Sequence, residues 1–200
     1  MNSQEIVPTP EVRTGLLRAA PISTKRLILR EFQLADCRDL FEIHGDARTT
    51  RYAGGTRTRE QSFESLCRMI SRLRETGYGT LALQLKSEKR LIGWSGVQPL
   101  LGTDKYEILY ALKPAYWGYG FATEAGTALL EVVFNSMNRA LDEIYALVFP
   151  QNIASIRVLE KLGFVFLEYY FDEPTKRNAC LFAVSSSRFN SNFPNRRSNL

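Results

Sequence analysis

Two short segments of this chain contain residues whose types and spacing could do chemistry. In the first, small residues stand at Gly118, Gly120 and Ala122, where strand-like spacing of apolar residues changes to helix-like spacing. Glycines at a helix start let the backbone approach a ligand, and the unpaired N–H groups and the helix dipole attract anions. The segment therefore indicates a phosphate or pyrophosphate site. An ordinary glycine-containing loop before a helix is the alternative interpretation.

The same residues exclude two common kinds of nucleotide site. The G-x-x-x-x-G-K-S/T pattern of nucleotide hydrolases is absent, and the glycine spacing does not match the Rossmann fingerprint. A phosphate would therefore be held here by backbone N–H groups, without a lysine.

The second segment runs from Asn152 to Phe164 and reads Asn-Ile-Ala-Ser-Ile-Arg-Val-Leu-Glu-Lys-Leu-Gly-Phe. Asn152 suits the N-cap of a helix, and Gly163 suits the position just after a helix end. These polar positions therefore have a structural interpretation beside any functional one.

Taken together, the two segments resemble the GNAT superfamily of N-acetyltransferases. The resemblance rests on Tyr116-Trp-Gly-Tyr-Gly-Phe-Ala-Thr-Glu-Ala125 and on Asn-x-x-Ser-x-x-x-Leu-Glu-Lys-Leu-Gly-Phe after it, and it covers residues 24–172. A third motif, Thr24-Lys-Arg-Leu-Ile-Leu-Arg30, resembles the opening of the branch that acetylates N-termini of ribosomal proteins, the RimJ/RimL-like branch. The resemblance implies an α/β fold, the GNAT-like acyl-CoA N-acyltransferase fold, with a mixed, mostly antiparallel sheet flanked by helices.

The resemblance also implies acetyl-CoA as co-substrate, bound in a cleft between the fourth and fifth predicted strands. The family's phosphate loop, Q/R-x-x-G-x-G/A, maps onto residues 117–122, with Trp117 in place of the usual arginine or glutamine. The strand before it would pair with the pantetheine arm, and the second motif would contact the thiol end. The implied coenzyme-binding residues are Tyr110, Ala111, Leu112, Trp117, Gly118, Tyr119, Gly120, Phe121, Ala122, Asn152 and Ser155.

Two catalytic residues follow from the same resemblance. Glu107 lies on the strand expected beside the acetyl group and would act as the base through a water; a carboxylate at the rim of a strand is the alternative. Many family members carry a tyrosine seven positions after the asparagine, where this chain has Leu159. Ser155 is then the proton donor, or only the third residue of its helix.

The acceptor implied by the resemblance is a primary amine. An α-amino group of a protein N-terminus is the first interpretation and a small-molecule amine is the second. A catalytically inactive acyl-CoA-binding module is a further alternative, supported only by the missing tyrosine. The loop that carries Arg48, Arg51 and Arg57 borders the acceptor site in the family, but a solvated basic loop is the favoured interpretation of these arginines. His44 could contact the acceptor, but its place at the end of a predicted helix is a sufficient explanation.

Composition sets the remaining expectations. Three of the positive charges behind the net charge of +5 come from Arg188, Arg196 and Arg197, so a nucleic-acid role is not expected. The three cysteines form no C-x-x-C pair, and no metal site is predicted. No apolar run approaches the roughly 20 residues that span a bilayer, so no membrane role is expected and the predicted location is cytoplasmic. A homodimer is left open.

The apolar spacing predicts one domain at residues 23–185, with a flexible segment at residues 1–22 and a flexible basic tail at residues 186–200. A helix over residues 60–75 would bury Phe63, Leu66, Ile70 and Leu73. Other helices are predicted at residues 35–44, 120–136 and 153–162, and strands at 27–29, 80–85, 91–97, 106–112, 144–148, 164–171 and 179–184.

Overall fold

The structure is a computed structural model that describes residues 21–135, 141–172 and 176–194. Its strands form one sheet in the order β1-β2-β3-β4-β5-β6-β8-β7. The strands are β1 (Ile22–Ser23), β2 (Leu27–Arg30), β3 (Gly79–Leu85), β4 (Arg90–Pro99), β5 (Tyr106–Leu112), β6 (Glu143–Val148), β7 (Val165–Asp172) and β8 (Arg177–Ser185). The α-helices are α1 (Cys37–His44), α2 (Ala47–Thr50), α3 (Arg59–Thr76), α4 (Phe121–Asn135), α5 (Ile153–Lys161) and α6 (Ser186–Asn192).

The parallel pair of β5 and β6 interrupts an otherwise antiparallel sheet. Its connection runs through α4, as a parallel crossover requires. Glu107 is opposite Tyr145, and the strands continue to Leu112 and Val148 with no further paired position in the part of the ladder that the structure describes. By contrast, β6 pairs with β8 along its whole length. A gap therefore opens between the carboxyl ends of β5 and β6.

Local signals set the bounds of α3. Thr58 and Gln61 form a reciprocal capping box at its start, and Gly77 ends it with a φ of 71°. The predicted apolar face is wrong at Phe63, which is 46% exposed, while Ser62 is fully buried. The face that packs against the sheet runs through Ser62, Ser65, Leu66 and Leu73, so Phe63 is rotated toward solvent.

Helix α4 supports both halves of the sheet. Leu129 packs in the cluster with β2, β3 and β4, whereas Leu130 and Val133 pack in the cluster with β6 and β8. It also approaches α5 closely, because a Cβ at Gly126 would lie 2.7 Å from a methyl carbon of Leu162. The helix before the gap is therefore fixed to the strands on either side of it.

The segment after β8 corrects the sequence prediction. Residues 186–192 were expected to be part of a flexible tail, but they form α6, and Phe189 is only 1% exposed. Its ring lies 5.6 Å from that of Phe134 and 4.9 Å from that of Phe193. Two aromatic residues four positions apart are too few to give a helical period in the sequence. The rest of the predicted tail, residues 195–200, lies outside the described residues.

The other sequence predictions differ from the structure mainly at element ends. The structure adds β1 (Ile22–Ser23) at the edge of the predicted flexible N-terminal segment, whose residues 1–20 lie outside the described part. Residue 136, the predicted end of the helix at residues 120–136, also lies outside the described part. The predicted strands at residues 80–85, 91–97, 106–112 and 144–148 are confirmed within the bounds of β3 to β6.

Candidate active site

The loop between β5 and α4 presents an open helix N-terminus. Gly118 and Gly120 have φ angles of 82° and 80°, a left-handed conformation that favours glycine. No atom lies within 4 Å of a Cβ built on Gly118, so conformation and not crowding requires the glycine. Helix α4 begins at Phe121, and its first internal bond runs from the Glu124 N–H to the Gly120 carbonyl. The preceding N–H groups of the first turn have no partner within the helix.

Trp117 anchors the start of this loop. Its indole Nε1 donates to the carbonyl of Leu112 at 2.7 Å, across the turn of residues 114–116. An arginine or glutamine at this position could donate in the same way, since all three side chains carry N–H donors. The substitution therefore keeps a donor and leaves the indole ring 46% exposed beside the loop.

A second support reaches the loop from the residues just before β2 and was missed by the sequence analysis. The Arg26 guanidinium donates through Nη1 to the Tyr119 carbonyl at 2.9 Å and through Nε to the Glu124 carboxylate at 2.6 Å. It also stacks on the Phe121 ring, 4.3 Å from the centroid. Thr24 adds a hydroxyl hydrogen bond to Glu124 at 2.6 Å. The Thr24–Arg30 motif contains both Thr24 and Arg26, so the sequence did carry a signal for this contact, although the motif by itself indicates only the family resemblance.

The end of β5 and the start of α5 meet across the gap. The Tyr110 hydroxyl donates to the Ser155 carbonyl at 3.2 Å. Burial raises the pKa of Tyr110 to about 12, although its hydrogen bond to Ser155 acts in the opposite direction. The hydroxyl therefore stays protonated at neutral pH. The structure thus brings together two of the predicted coenzyme residues, Tyr110 and Ser155.

Asn152 has the capping role that its position suggested. Its Oδ1 accepts from the Ser155 N–H at 3.2 Å and closes the first turn of α5. Leu159, at the position where many relatives carry a tyrosine, is 2% exposed and packs in the core. A side chain buried there among apolar groups contributes to packing, and it brings no proton donor to the gap.

Glu107 lies on the other face of β5 from Tyr110, because side chains three positions apart on a strand point to opposite faces. It is half-buried, and its Oε1 accepts from Gln98 Nε2 at 3.0 Å. Gln98 in turn accepts from Arg72 of α3 at 2.7 Å. Glu107 and Ser155 therefore approach the gap from opposite sides of the sheet.

The polar residues between α1 and α3 are largely engaged within the fold. His44 is 3% exposed, and its Nε2 lies 3.3 Å from Arg57 Nη1. Burial, followed by the positive charge of Arg57, lowers the pKa of His44 to about 4, so the ring is neutral at pH 7. Arg48 is paired with Asp46 at 2.6 Å. Of the loop arginines, Arg51 lies over the Tyr52 ring, 5.6 Å from its centroid.

An open cavity adjoins α5 at the end of β6. Its volume is about 530 Å³, and its lining residues are Pro150, Gln151, Tyr169, Arg177 and Asn178. Tyr52 of the α2 region reaches it, donating its hydroxyl to the Gln151 carbonyl at 3.1 Å. The sequence analysis did not find Arg177 or Tyr169, because only the β7–β8 hairpin brings them to this position.

Within the described ranges, no three His, Cys, Asp or Glu side chains are grouped closely enough to hold a metal ion. A search of those same ranges for a helix with the length and apolar character of a membrane span finds none.

Comparison with known proteins agrees with this geometry. The model of the family "Acetyltransferase (GNAT) domain" matches residues 26–165. The uncharacterized N-acetyltransferase YnaD of Bacillus subtilis (strain 168) is 32% identical over 142 residues, which are 71% of this chain and 81% of that protein. A GNAT-family acetyltransferase structure from Bacillus anthracis superposes with a TM-score of 0.73 at 26% identity, covering 84% of this chain and 99% of that one.

A solved complex adds the ligand class that this fold accommodates. Aminoglycoside acetyltransferase AAC(6')-Ib, in complex with coenzyme A, has a TM-score of 0.68 at 21% identity and covers 86% of this chain and 99% of its own. At 21% identity, the similarity to this enzyme shows a shared fold and no more. The described strands form one sheet in which β5 and β6 are parallel and separate at their carboxyl ends, and a glycine loop leads into α4. This is the architecture of an acyl-CoA transferase. This chain belongs to the GNAT acetyltransferase family and is an acetyl-CoA-dependent acetyltransferase.

Proposed function

We propose that this acetyltransferase transfers the acetyl group of acetyl-CoA directly to a primary amine, with the α-amino group of a protein N-terminus as the acceptor. The single observation that carries the proposal is the open N-terminus of α4 beside the gap between β5 and β6. A pyrophosphate suits the N–H groups at Gly118 to Ala122, because they lie at the positive end of a helix. The N-terminal acceptor is supported by the likeness of Thr24–Arg30 to the ribosomal-protein branch.

In this proposal the thiol arm lies in the gap. The backbone of Tyr110, Ala111 and Leu112 pairs with its amides, since the carboxyl end of β5 has no strand partner on that side in the described ladder. Trp117 and Tyr119 flank the phosphates, and Phe121 and Ala122 begin the helix beneath them. Asn152 and Ser155 stand at the thiol end. No metal is needed, because the reaction is a direct attack of an amine on a thioester.

The proposed proton transfers use the two sides of the gap. Glu107 takes a proton from the incoming ammonium through a water, and Ser155 donates to the departing thiolate. Their placement on opposite faces suits attack on one side and departure on the other. A thiolate also leaves without an acid, since a free thiol has a pKa of about 8.5.

The acceptor is tested by measuring release of the coenzyme thiol. Purified protein is given acetyl-CoA with peptides that have free N-termini, with the same peptides blocked at the N-terminus, and with small amines. We expect turnover with free peptides and none with blocked ones. Turnover confined to small amines would replace the acceptor, and coenzyme binding without turnover on any amine would favour the inactive acyl-CoA-binding module.

A further inference from the structure

We propose that Arg177 forms an anion-binding subsite for the acceptor, so that the preferred substrates are amines that also carry a carboxylate or phosphate group. This inference rests on the proposed function, because it concerns the acceptor of the same reaction. Arg177 and Tyr169 line the cavity together with Gln151, the residue before the N-cap of α5. Its volume of about 530 Å³ falls within the range of small-ligand pockets.

Aromatic contacts hold the Arg177 guanidinium at the cavity. It lies over the Phe149 ring at 4.2 Å from the centroid, and Phe149 is itself 8% exposed. The Tyr52 ring is 6.2 Å from that of Phe149, and the Tyr52 hydroxyl is bonded to Gln151. Stacking restricts the guanidinium while leaving its in-plane N–H groups directed away from the ring. The arginine is therefore oriented before any ligand arrives.

Among the residues whose side chains the structure describes, none engages the donors of Arg177. Other arginines near the site are engaged: Arg26 with Glu124, Arg48 with Asp46 and Arg57 with Ser65. Arg177 has no ion pair or hydrogen bond with any side chain that the structure describes, and it is exposed. None of the residues that line the cavity is acidic. A fixed guanidinium with unengaged donors is suited to bidentate recognition of a carboxylate or phosphate.

The face of the sheet places this cation on the side from which the amine would arrive. Glu107 is opposite Tyr145 in the parallel pair, and Tyr145 is opposite Ala183 of β8. Arg177 precedes Ala183 by an even number of positions within β8, so the side chains of Glu107 and Arg177 share a face. Arg177 stacks on that face, at the same end of β6 as the gap. An acceptor whose anion binds Arg177 would therefore lie on the Glu107 side of the gap.

The charge of the subsite also predicts exclusion. Polyamines and aminoglycosides would place several cations near Arg177, and like charges at a binding site disfavour a ligand. The anionic amine could be a small amino acid or a peptide whose second residue is acidic. Both sources present the same chemistry, and the assay below separates them.

The test uses acceptor pairs that differ in one charge. Initial rates are measured with peptides that have Asp or Asn at the second position, with glutamate and glutamine, with phosphoethanolamine and ethanolamine, and with spermidine.

We expect the wild type to favour one of the anionic members by at least about 10-fold in kcat/KM, the usual effect of a charge-assisted hydrogen bond. Arg177→Gln should remove this preference by lowering kcat/KM for the anionic members, while the coenzyme Kd stays unchanged. Arg177→Lys should keep part of it. Arg68→Gln, on the exposed side of α3, is the matched control.

Two outcomes would overturn the subsite: equal kcat/KM within every pair, or a preference that survives Arg177→Gln.

A second measurement does not need turnover. N-acetylglutamate is titrated into the wild type and the signals of the arginine Nε–H groups are followed by nuclear magnetic resonance. A saturable shift of the Arg177 signal supports the subsite, and no shift rejects it. Absence of turnover on every amine would contradict the proposed function, and the titration would still decide the subsite.

Discussion

Arg26 and Glu124 meet at 2.6 Å and connect the start of β2 to the first turn of α4. The carboxylate also accepts from the backbone N–H of Arg26 at 2.8 Å and from the hydroxyl of Thr24. Burial alone would raise the pKa of Glu124, but the hydrogen bonds from Thr24 and Arg26 outweigh it and the pKa is lowered. The carboxylate therefore stays ionised, and its contacts with Arg26 hold the loop that carries Tyr119 and Gly120.

Replacing Arg26 should loosen that loop. We expect Arg26→Gln to raise the coenzyme Kd by about 10-fold, because it removes hydrogen bonds to the Tyr119 carbonyl and to Glu124 and a cation beside the proposed phosphate loop. Isothermal calorimetry measures the change. Arg74→Gln is the control, since the exposed Arg74–Glu31 pair at 3.8 Å is worth little. Equal affinities in wild type and Arg26→Gln would show that the loop needs no support from Arg26.

The glycine loop allows a controlled substitution. Gly120→Asp should abolish coenzyme binding, because it places a side chain and a negative charge at the helix N-terminus. Gly102→Asp is the matched control, with a φ of 76° against 80° at Gly120 and open space around it. Both variants have the same backbone strain, and only Gly120→Asp should lose binding by calorimetry. A folded Gly120→Asp protein with unchanged affinity would remove the pyrophosphate assignment.

Proton transfer can be tested at Glu107. Glu107→Gln should lower kcat by roughly 10²-fold while coenzyme affinity is kept. The loss should shrink as pH rises from 6 to 10, because an α-ammonium with a pKa near 8 then arrives already neutral. Gln98→Ala is a useful comparison, since it removes the Gln98 hydrogen bond but keeps the carboxylate.

Two further results bear on the catalytic assignment. Ser155→Ala should be milder than Glu107→Gln, because a thiolate leaves without full protonation. A wild-type kcat for Glu107→Gln at neutral pH would eliminate the base, and orientation of the reactants would then account for the rate.

His44 should make folding stability depend on pH. Its folded pKa of about 4 is below the ordinary value of 6.5, so the unfolded chain binds a proton that the native protein does not. This stability is present above pH 6.5 and is lost as pH falls toward 4, by up to about 3 kcal/mol. Urea unfolding of wild type and His44→Gln at pH 7 and pH 4.5 measures the difference. A gap between the two proteins that is the same at both pH values would contradict the assignment.

Helix α6 should contribute to the core. Phe189→Ala should lower the free energy of unfolding by about 3 kcal/mol or more, because it removes a buried ring that packs on Phe134. Phe63→Ala removes the same side chain from a position that is 46% exposed, and its effect should stay well below that. Urea titration of both variants measures the two values. Equal losses would mean that α6 does not pack in solution.

Local patterns could be predicted from the sequence, and long-range pairings could not. The positive φ angles of Gly118 and Gly120 and the cap at Asn152 follow from residue type within a few positions. Arg26 and Glu124, in contrast, are 98 positions apart, and no periodicity connects them. Arg177 likewise reaches Phe149 only because β8 pairs with β6. Helix α6 was missed because a short helix with a single fully buried ring leaves almost no apolar period.

The single paired position between β5 and β6 has a thermodynamic consequence. Sheet hydrogen bonds hold β1 to β5 together and β6 to β8 together, and in the part of the chain that the structure describes they cross between these groups only around Glu107 and Tyr145. A ligand whose amides pair along the open end of β5 would bind the native protein and not the unfolded chain. Saturation would then stabilise the native state by about 2.7 kcal/mol at a concentration one hundred times its Kd. Amide hydrogens at the end of β5 would exchange more slowly, so occupancy of the coenzyme site would also set how often the sheet opens along its middle.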